Sequence, residues 1–261
     1  MICSALARFA RKIIPAQVRP NGYLENLVRK QTGGRVFSGP FAGMCWISGD
    51  VNHAHIHIPK LLGIYERELH PYIERACALN LSHIINLGAA EGYYAVGMSL
   101  RNPGARIIAF ESQAQERWGL TERARINGVV NRLGILGKCE PEDLKRVLAD
   151  APRPFIVCDV EGYESVLLDP AIVPLLQHSW ILVELHEFVE QGITEKVRKR
   201  FERTHKISHV WQQERKLADF PFQDFYTRFL PKRYLCWAVS ESRPERMSWF
   251  WMEPASAPGA Q

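Results

Sequence analysis

The stretch HIINLGAAEGYYAVGMSLR, residues 83–101, decides how the chain is read. It opens with HIINL, an apolar run with the length and composition of a buried strand. The run breaks at Gly88-Ala89-Ala90-Glu91-Gly92, and the residues after it return to helical spacing. Gly88 suits a tight turn, and Gly92 suits a positive φ or a close helix–strand approach. A strand, a glycine loop and a helix in this order open a βαβ unit.

The same alternation continues downstream. RIIAFES (106–112) reads as a strand and QERWGLTERARINGV (115–129) as a helix. RLGILGKC (132–139) is a strand, and PEDLKRVLAD (141–150) is a helix started by Pro141. PFIVCDV (154–160) and WILVELHE (180–187) are further strands, separated by a segment that Pro170 and Pro174 interrupt. TEKVRKRFERTH (194–205) is a helix. KISHVWQQ (206–213) and RYLCWAVS (233–240) lack a long helix between them and read as an antiparallel pair of edge strands. Alternation of this kind predicts an α/β fold with a mostly parallel sheet covered on both faces.

Upstream, RVFSGPFAGMCWI (35–47) and AHIHI (54–58) read as short strands with turns. PKLLGIYERELHPYIERACAL (59–79) reads as one helix begun by Pro59. The predicted organisation is an N-terminal extension over 1–58, a main domain over 59–245 and a tail over 246–261.

The 261 residues are 46% hydrophobic and 23% charged, ordinary for a globular protein, and no 18-residue apolar run is present. The start, MICSALARFARKIIP, lacks the unbroken apolar core of a secretory signal. As a helix it sets Leu6, Phe9 and Ile13 opposite Arg8, Arg11 and Lys12, a pattern for packing on the domain or for peripheral membrane contact through 1–14. Six scattered cysteines form no zinc or disulfide pattern, which points to a reducing cytoplasm. The net charge of +5 is mild, and no basic run with interleaved aromatics marks a nucleic-acid surface. Oligomeric state is left open.

Ligands of open parallel sheets bind at the carboxyl ends of the strands. The loop after the first strand lacks the G-x-G-x-x-G spacing, since Ala90 fills the middle glycine position that a pyrophosphate needs. The second strand ends in Glu111, 23 residues after Gly88, where a carboxylate accepts from ribose hydroxyls. The fourth strand ends in CDVEGYES, with Asp159 and Glu161 one residue apart around a turn at Gly162.

These residues, with INGV at 126–129, FIVCDVEGYESVLL and ILVELHE, resemble the FkbM-type family of S-adenosylmethionine-dependent methyltransferases over roughly residues 60–190. The resemblance implies a class I methyltransferase (Rossmann-like) fold, a seven-stranded, mostly parallel sheet with an antiparallel last strand and helices on both faces. It implies S-adenosyl-L-methionine on Gly88, Ala89, Glu91 and Gly92, with Glu111 on the ribose and Ser112 beside the adenine. Cys139 and Glu140 would lie near the other edge of the adenine. The family usually carries Asp where this chain has Asn86. Asn keeps the hydrogen bonding to the cofactor's amino-acid end without the charge, which implies either weaker cofactor affinity or a contact remade by Glu91 or Asp159. Residues 1–58 lie outside the match and would supply a lid or an acceptor surface.

Transfer of a methyl group to an alcohol needs positioning and removal of a proton. Asp159 ends the fourth strand and is the first candidate base; His186, ending the fifth, is the second, beside Glu184 and Glu187. Glu161 is a third candidate, against a structural reading in which Glu161 and Glu164 shape the turn and cap the next helix. A divalent cation on Asp159, Glu184 and His186 is a less favoured alternative. An Asn/Asp-Pro-Pro-aromatic segment, usual where amino groups of adenine or glutamine are methylated, is replaced here by Asp159-Val160-Glu161-Gly162, which favours an oxygen acceptor. HAHIH would set His53, His55 and His57 on one face of a strand, read as a polar face rather than a metal site. The expected activity is O-methylation of a small molecule, sugar or glycan. The rivals are an NAD(P)-dependent Rossmann oxidoreductase and a non-catalytic binding module of the same fold.

Overall fold

The computed structural model describes residues 19–46 and 54–255. The chain forms two compact units.

The larger comprises Glu68–Gln212 and Arg243–Gln261. It holds β1 (His83–Leu87), β2 (Arg106–Phe110), β3 (Leu133–Leu136), β4 (Pro154–Cys158), β5 (Trp180–Leu185), β6 (His205–Trp211) and β7 (Ser248–Pro254). They form one sheet in the order β3-β2-β1-β4-β5-β7-β6. β1 to β5 pair in parallel, and β7 is antiparallel to both of its neighbours. The expected fold class is therefore observed. Every residue of β4 and β5 is buried, because helices cover both faces of a parallel sheet and no residue is left to face water. This is why these strands read as unbroken apolar runs.

The last strand is not where the sequence pattern places it. RYLCWAVS is helical, within Lys232–Val239. The helix follows Pro231, whose fixed φ suits a helix start, and its buried residues Ala238 and Val239 are adjacent rather than alternating. The seventh strand is instead SWFWMEP, with Trp249, Phe250, Trp251 and Met252 all buried. Between β5 and β6 it is covered on both edges and faces, which suits a continuous aromatic run.

The smaller unit comprises Met1–Arg67 and Gln213–Ser242. Its helix Pro20–Thr32 has Pro in its first turn and ends at Gly33 in the left-handed conformation. The expected strands over 35–47 reduce to a single bridge, Arg35 to Cys45. AHIHI is not a strand but the start of the helix Ala54–Leu62. Buried Ile58, Leu61 and Leu62 follow helical spacing rather than alternation. The helix expected over 59–79 is two: the first ends before Gly63, and the second, His70–Ala78, belongs to the larger unit. Gly63 has φ +70°, and a Cβ there would lie 1.9 Å from the Ser38 carbonyl oxygen, so only glycine fits. His57 is buried; His53, the His55 side chain and the proposed helix over 1–14 lie outside the described residues.

Candidate active site

Sheet register sets the site. Leu87 pairs with Phe110 on β2 and with Cys158 on β4, and Cys158 pairs with Val183 on β5. The next residues along, Gly88, Glu111, Asp159 and Glu184, therefore lie level at the carboxyl edge of the sheet.

Gly88 has φ +73°, and a Cβ there would sit 1.6 Å from the Asp159 carbonyl oxygen. The loop after β1 thus lies directly against the turn after β4. The Gly88 and Ala89 amides both donate to the Phe110 carbonyl, at 3.0 and 2.9 Å. Glu111, buried at the end of β2, accepts from the Ala90 amide at 2.8 Å through one carboxylate oxygen and from the Gln113 amide at 2.7 Å through the other. A carboxylate has about four lone-pair sites, so these bonds leave Glu111 acceptor capacity for a diol. Ser112 is exposed, its hydroxyl 3.4 Å from Glu111. At the other end of the loop Gly92 has φ +94°, where a Cβ would collide with Leu120 at 2.3 Å.

Other residues expected on the cofactor have structural partners. Glu91 is buried against Arg123 of the helix Ala114–Ile126, at 2.7 Å. Cys139 is buried in the core, and burial first, then Asp143 and Glu140, push its thiol up to about 12. Glu140 accepts from the Tyr163 hydroxyl at 2.7 Å and pairs with Lys138 at 2.8 Å. Asn86 donates weakly to the Val157 carbonyl at 3.5 Å, and its buried Oδ1 has no hydrogen-bond partner among the described residues.

The acids after β4 converge on His186. Its Nδ1 lies 2.6 Å from Glu164, which has no solvent exposure. Its Nε2 lies 3.6 Å from Asp159 and 3.4 Å from Glu161. Glu161 is exposed and takes a left-handed conformation (φ +50°), rare for a side-chain-bearing residue. Gly162 follows at φ +103°, where a Cβ would meet Val189 at 2.3 Å. The turn aims Glu161 at the imidazole and returns the chain so that Glu164 reaches the opposite nitrogen. Burial pulls the pKa of His186 down. The hydrogen bond to Glu164 and the charges of Asp159, Glu164 and Glu161 outweigh it, and the imidazolium is held above its ordinary range.

Glu184 pairs with Arg243, whose guanidinium also lies 5.5 Å from the Trp249 ring centroid. Donor atoms of Asp159, Glu184 and His186 all lie within 4.8 Å of one another, close enough for a shared cation.

The sequence brings Asp159, Glu161 and His186 to one place and reads Glu164 as shaping the turn and capping the next helix; Glu164 does hold the turn, accepting from the Gly162 amide at 3.2 Å, but its contact with His186 was missed. The available signal was the period: Glu164 is five residues past Asp159 across a Gly turn. Arg123 and Arg243 carried no local signal.

No protein-family model matches the chain, and no curated protein does. Solved structures do. The methyltransferase domain of METTL16 superposes with TM-score 0.51 at 12% identity, over 89% of this chain and 96% of that one. An O-methyltransferase from Bacillus cereus, in complex with SAH, gives 0.44 at 10% identity over 81% and 93%. TomG, an O-methyltransferase from Streptomyces achromogenes in complex with SAM, gives 0.45 at 12% over 80% and 89%. The likeness to the METTL16 domain, with the sheet order above, shows the fold to be that of the class I methyltransferases.

Proposed function

We propose that the chain is an S-adenosylmethionine-dependent methyltransferase of FkbM type that methylates a hydroxyl oxygen of a small molecule, sugar or glycan. The observation that carries this is the close packing of the loop after β1, hydrogen-bonded to Glu111, directly against the turn at Asp159. It presents a diol acceptor and a pair of acids along one edge. The motif order, glycine loop then D-x-E-G-x-E, supports the family.

Bound S-adenosylmethionine would supply an electrophilic methyl group on a sulfonium. Gly88–Gly92 and Glu111 would hold its nucleoside, with Ser112 beside the base. The Asn86 Oδ1, an acceptor lacking a donor among the described residues, fits an ammonium group at the cofactor's amino-acid end. Asp159 hydrogen-bonds the acceptor hydroxyl. His186, with Nδ1–H donated to Glu164, takes the hydroxyl proton on Nε2, and buried Glu164 stabilises the imidazolium so formed. Such base assistance is worth roughly 10²–10⁴-fold.

A second reading adds a divalent cation on Asp159, Glu184 and His186, favoured by their spacing. The cation-free reading is preferred because the Arg243 guanidinium already neutralises Glu184.

Thermal unfolding with added nucleotides tests the proposal. S-adenosylhomocysteine should raise the midpoint and NAD(H) should leave it unchanged; the reverse pattern would favour the oxidoreductase.

A further inference from the structure

Phe225 and Phe229, one turn apart on the helix Phe225–Phe229, are 80% and 74% exposed. Their ring centroids are 5.0 Å apart, so the two side chains form one apolar ridge. Scattered exposed apolar side chains are ordinary, but two touching phenylalanines at this exposure are not.

The backbone beneath the ridge is held. Asp224 accepts from the Thr227 amide at 2.8 Å through one carboxylate oxygen and from the Tyr23 hydroxyl through the other. The Tyr23 and Tyr226 rings lie 4.4 Å apart. The ridge is thus a fixed feature of the smaller unit.

The chain that follows the ridge is cationic. From Phe225 to Val239 the chain carries Arg228, Lys232 and Arg233 and no Asp or Glu. All three cations are exposed. The neighbouring acid, Asp224, spends both oxygens on the cap and Tyr23.

We propose that this surface docks on an anionic lipid bilayer. Phe225 and Phe229 enter the boundary between headgroups and acyl chains, while Arg228, Lys232 and Arg233 meet lipid phosphates and carboxylates. Exposed aromatics flanked by several cations are the combination that interfacial binding uses. A second copy of the chain would set the same three cations against themselves across a two-fold interface. An uncharged protein surface would leave them unmatched. No described helix is long and apolar enough to cross a membrane, so the contact is peripheral.

Full-length protein sedimented with vesicles tests this. It should co-sediment with vesicles of phosphatidylcholine mixed with phosphatidylserine, and at least about tenfold more weakly with phosphatidylcholine alone. Phe225→Ser with Phe229→Ser, and separately Arg228→Glu with Lys232→Glu, should each reduce partitioning by at least about tenfold while the melting midpoint holds. Several outcomes overturn the proposal. Wild-type protein that ignores both vesicle types rules it out, as does equal binding to neutral vesicles. Binding that both double variants retain assigns the contact to another surface, such as residues 1–14. A marked drop in melting midpoint or in oligomer size in the phenylalanine variant means that protein, not lipid, covers the ridge.

Discussion

Glu164 holds the Nδ1 of His186 at 2.6 Å from a fully buried position, while Asp159 and Glu161 face the Nε2 of the same ring. One imidazole therefore has a buried partner on one nitrogen and a more open acidic edge on the other. The buried partner sets the tautomer and leaves Nε2 for chemistry.

The first consequence is a pH dependence. The folded pKa of His186 lies above its unfolded value of about 6.5. Its contribution to stability is therefore fully present below that value and is lost as pH rises through the folded pKa. The difference in unfolding free energy between wild type and His186→Gln should shrink as pH rises from about 6 upward. In Glu164→Gln the buried counter-charge is gone, and the His186 ring resonances followed by NMR should titrate at lower pH than in wild type.

Glu111 is expected to serve the loop before it serves any ligand. Glu111→Ala removes the acceptor of two backbone amides, each orphaned donor costing about 1–3 kcal/mol if buried. Calorimetry should show S-adenosylhomocysteine affinity reduced by at least about tenfold, with a lower melting midpoint. Glu111→Gln, which keeps one good acceptor, should fall between.

At Gly88 the prediction is steric. An added Cβ meets the Asp159 carbonyl oxygen at 1.6 Å, and the positive φ costs a further 1–3 kcal/mol or so. Gly88→Ala should displace the loop, lower the melting midpoint and abolish cofactor binding. Retention of both would mean that the turn after β4 can move.

Glu91 and Arg123 are a buried ion pair, and breaking one side leaves an uncompensated charge. Arg123→Ala should destabilise the fold by about 3–5 kcal/mol in denaturant titration. Glu91→Gln should affect stability more than cofactor affinity, because the carboxylate is engaged by Arg123.

Arg243 is expected to keep cations away from Glu184. Wild-type protein should show little saturable Mn²⁺ binding by electron paramagnetic resonance. Arg243→Gln, which removes the guanidinium beside Glu184, should raise Mn²⁺ affinity by about tenfold or more, in line with an effective pair energy of a few kcal/mol near a protein surface. Tight binding to the wild type would instead favour the metal-assisted reading.

Much of the larger unit was legible in the sequence. The strand–loop–helix order from His83 onward, the parallel sheet and the level of the strand-end acids follow from short-range patterns, because apolar periodicity and glycine placement act within a few residues. The same logic misplaced the last strand. RYLCWAVS and SWFWMEP have similar β-forming composition, and only the slot between β5 and β6 selects the second. AHIHI failed for a related reason, since its few residues fit either period until Ile58, Leu61 and Leu62 found a common buried face.

What the sequence by itself determined is the set of groups offered at the carboxyl edge: Gly88, Glu111, Asp159, Glu161 and His186. What only the tertiary structure decided is how they are partnered. Glu164 meets His186 across 22 residues, Arg123 meets Glu91 across 32, and Arg243 meets Glu184 across 59. A residue's charge and local period are written in the chain, but which opposite charge shares its buried space depends on strand register and helix packing. Those are settled by burial summed over the whole core, not by any one segment.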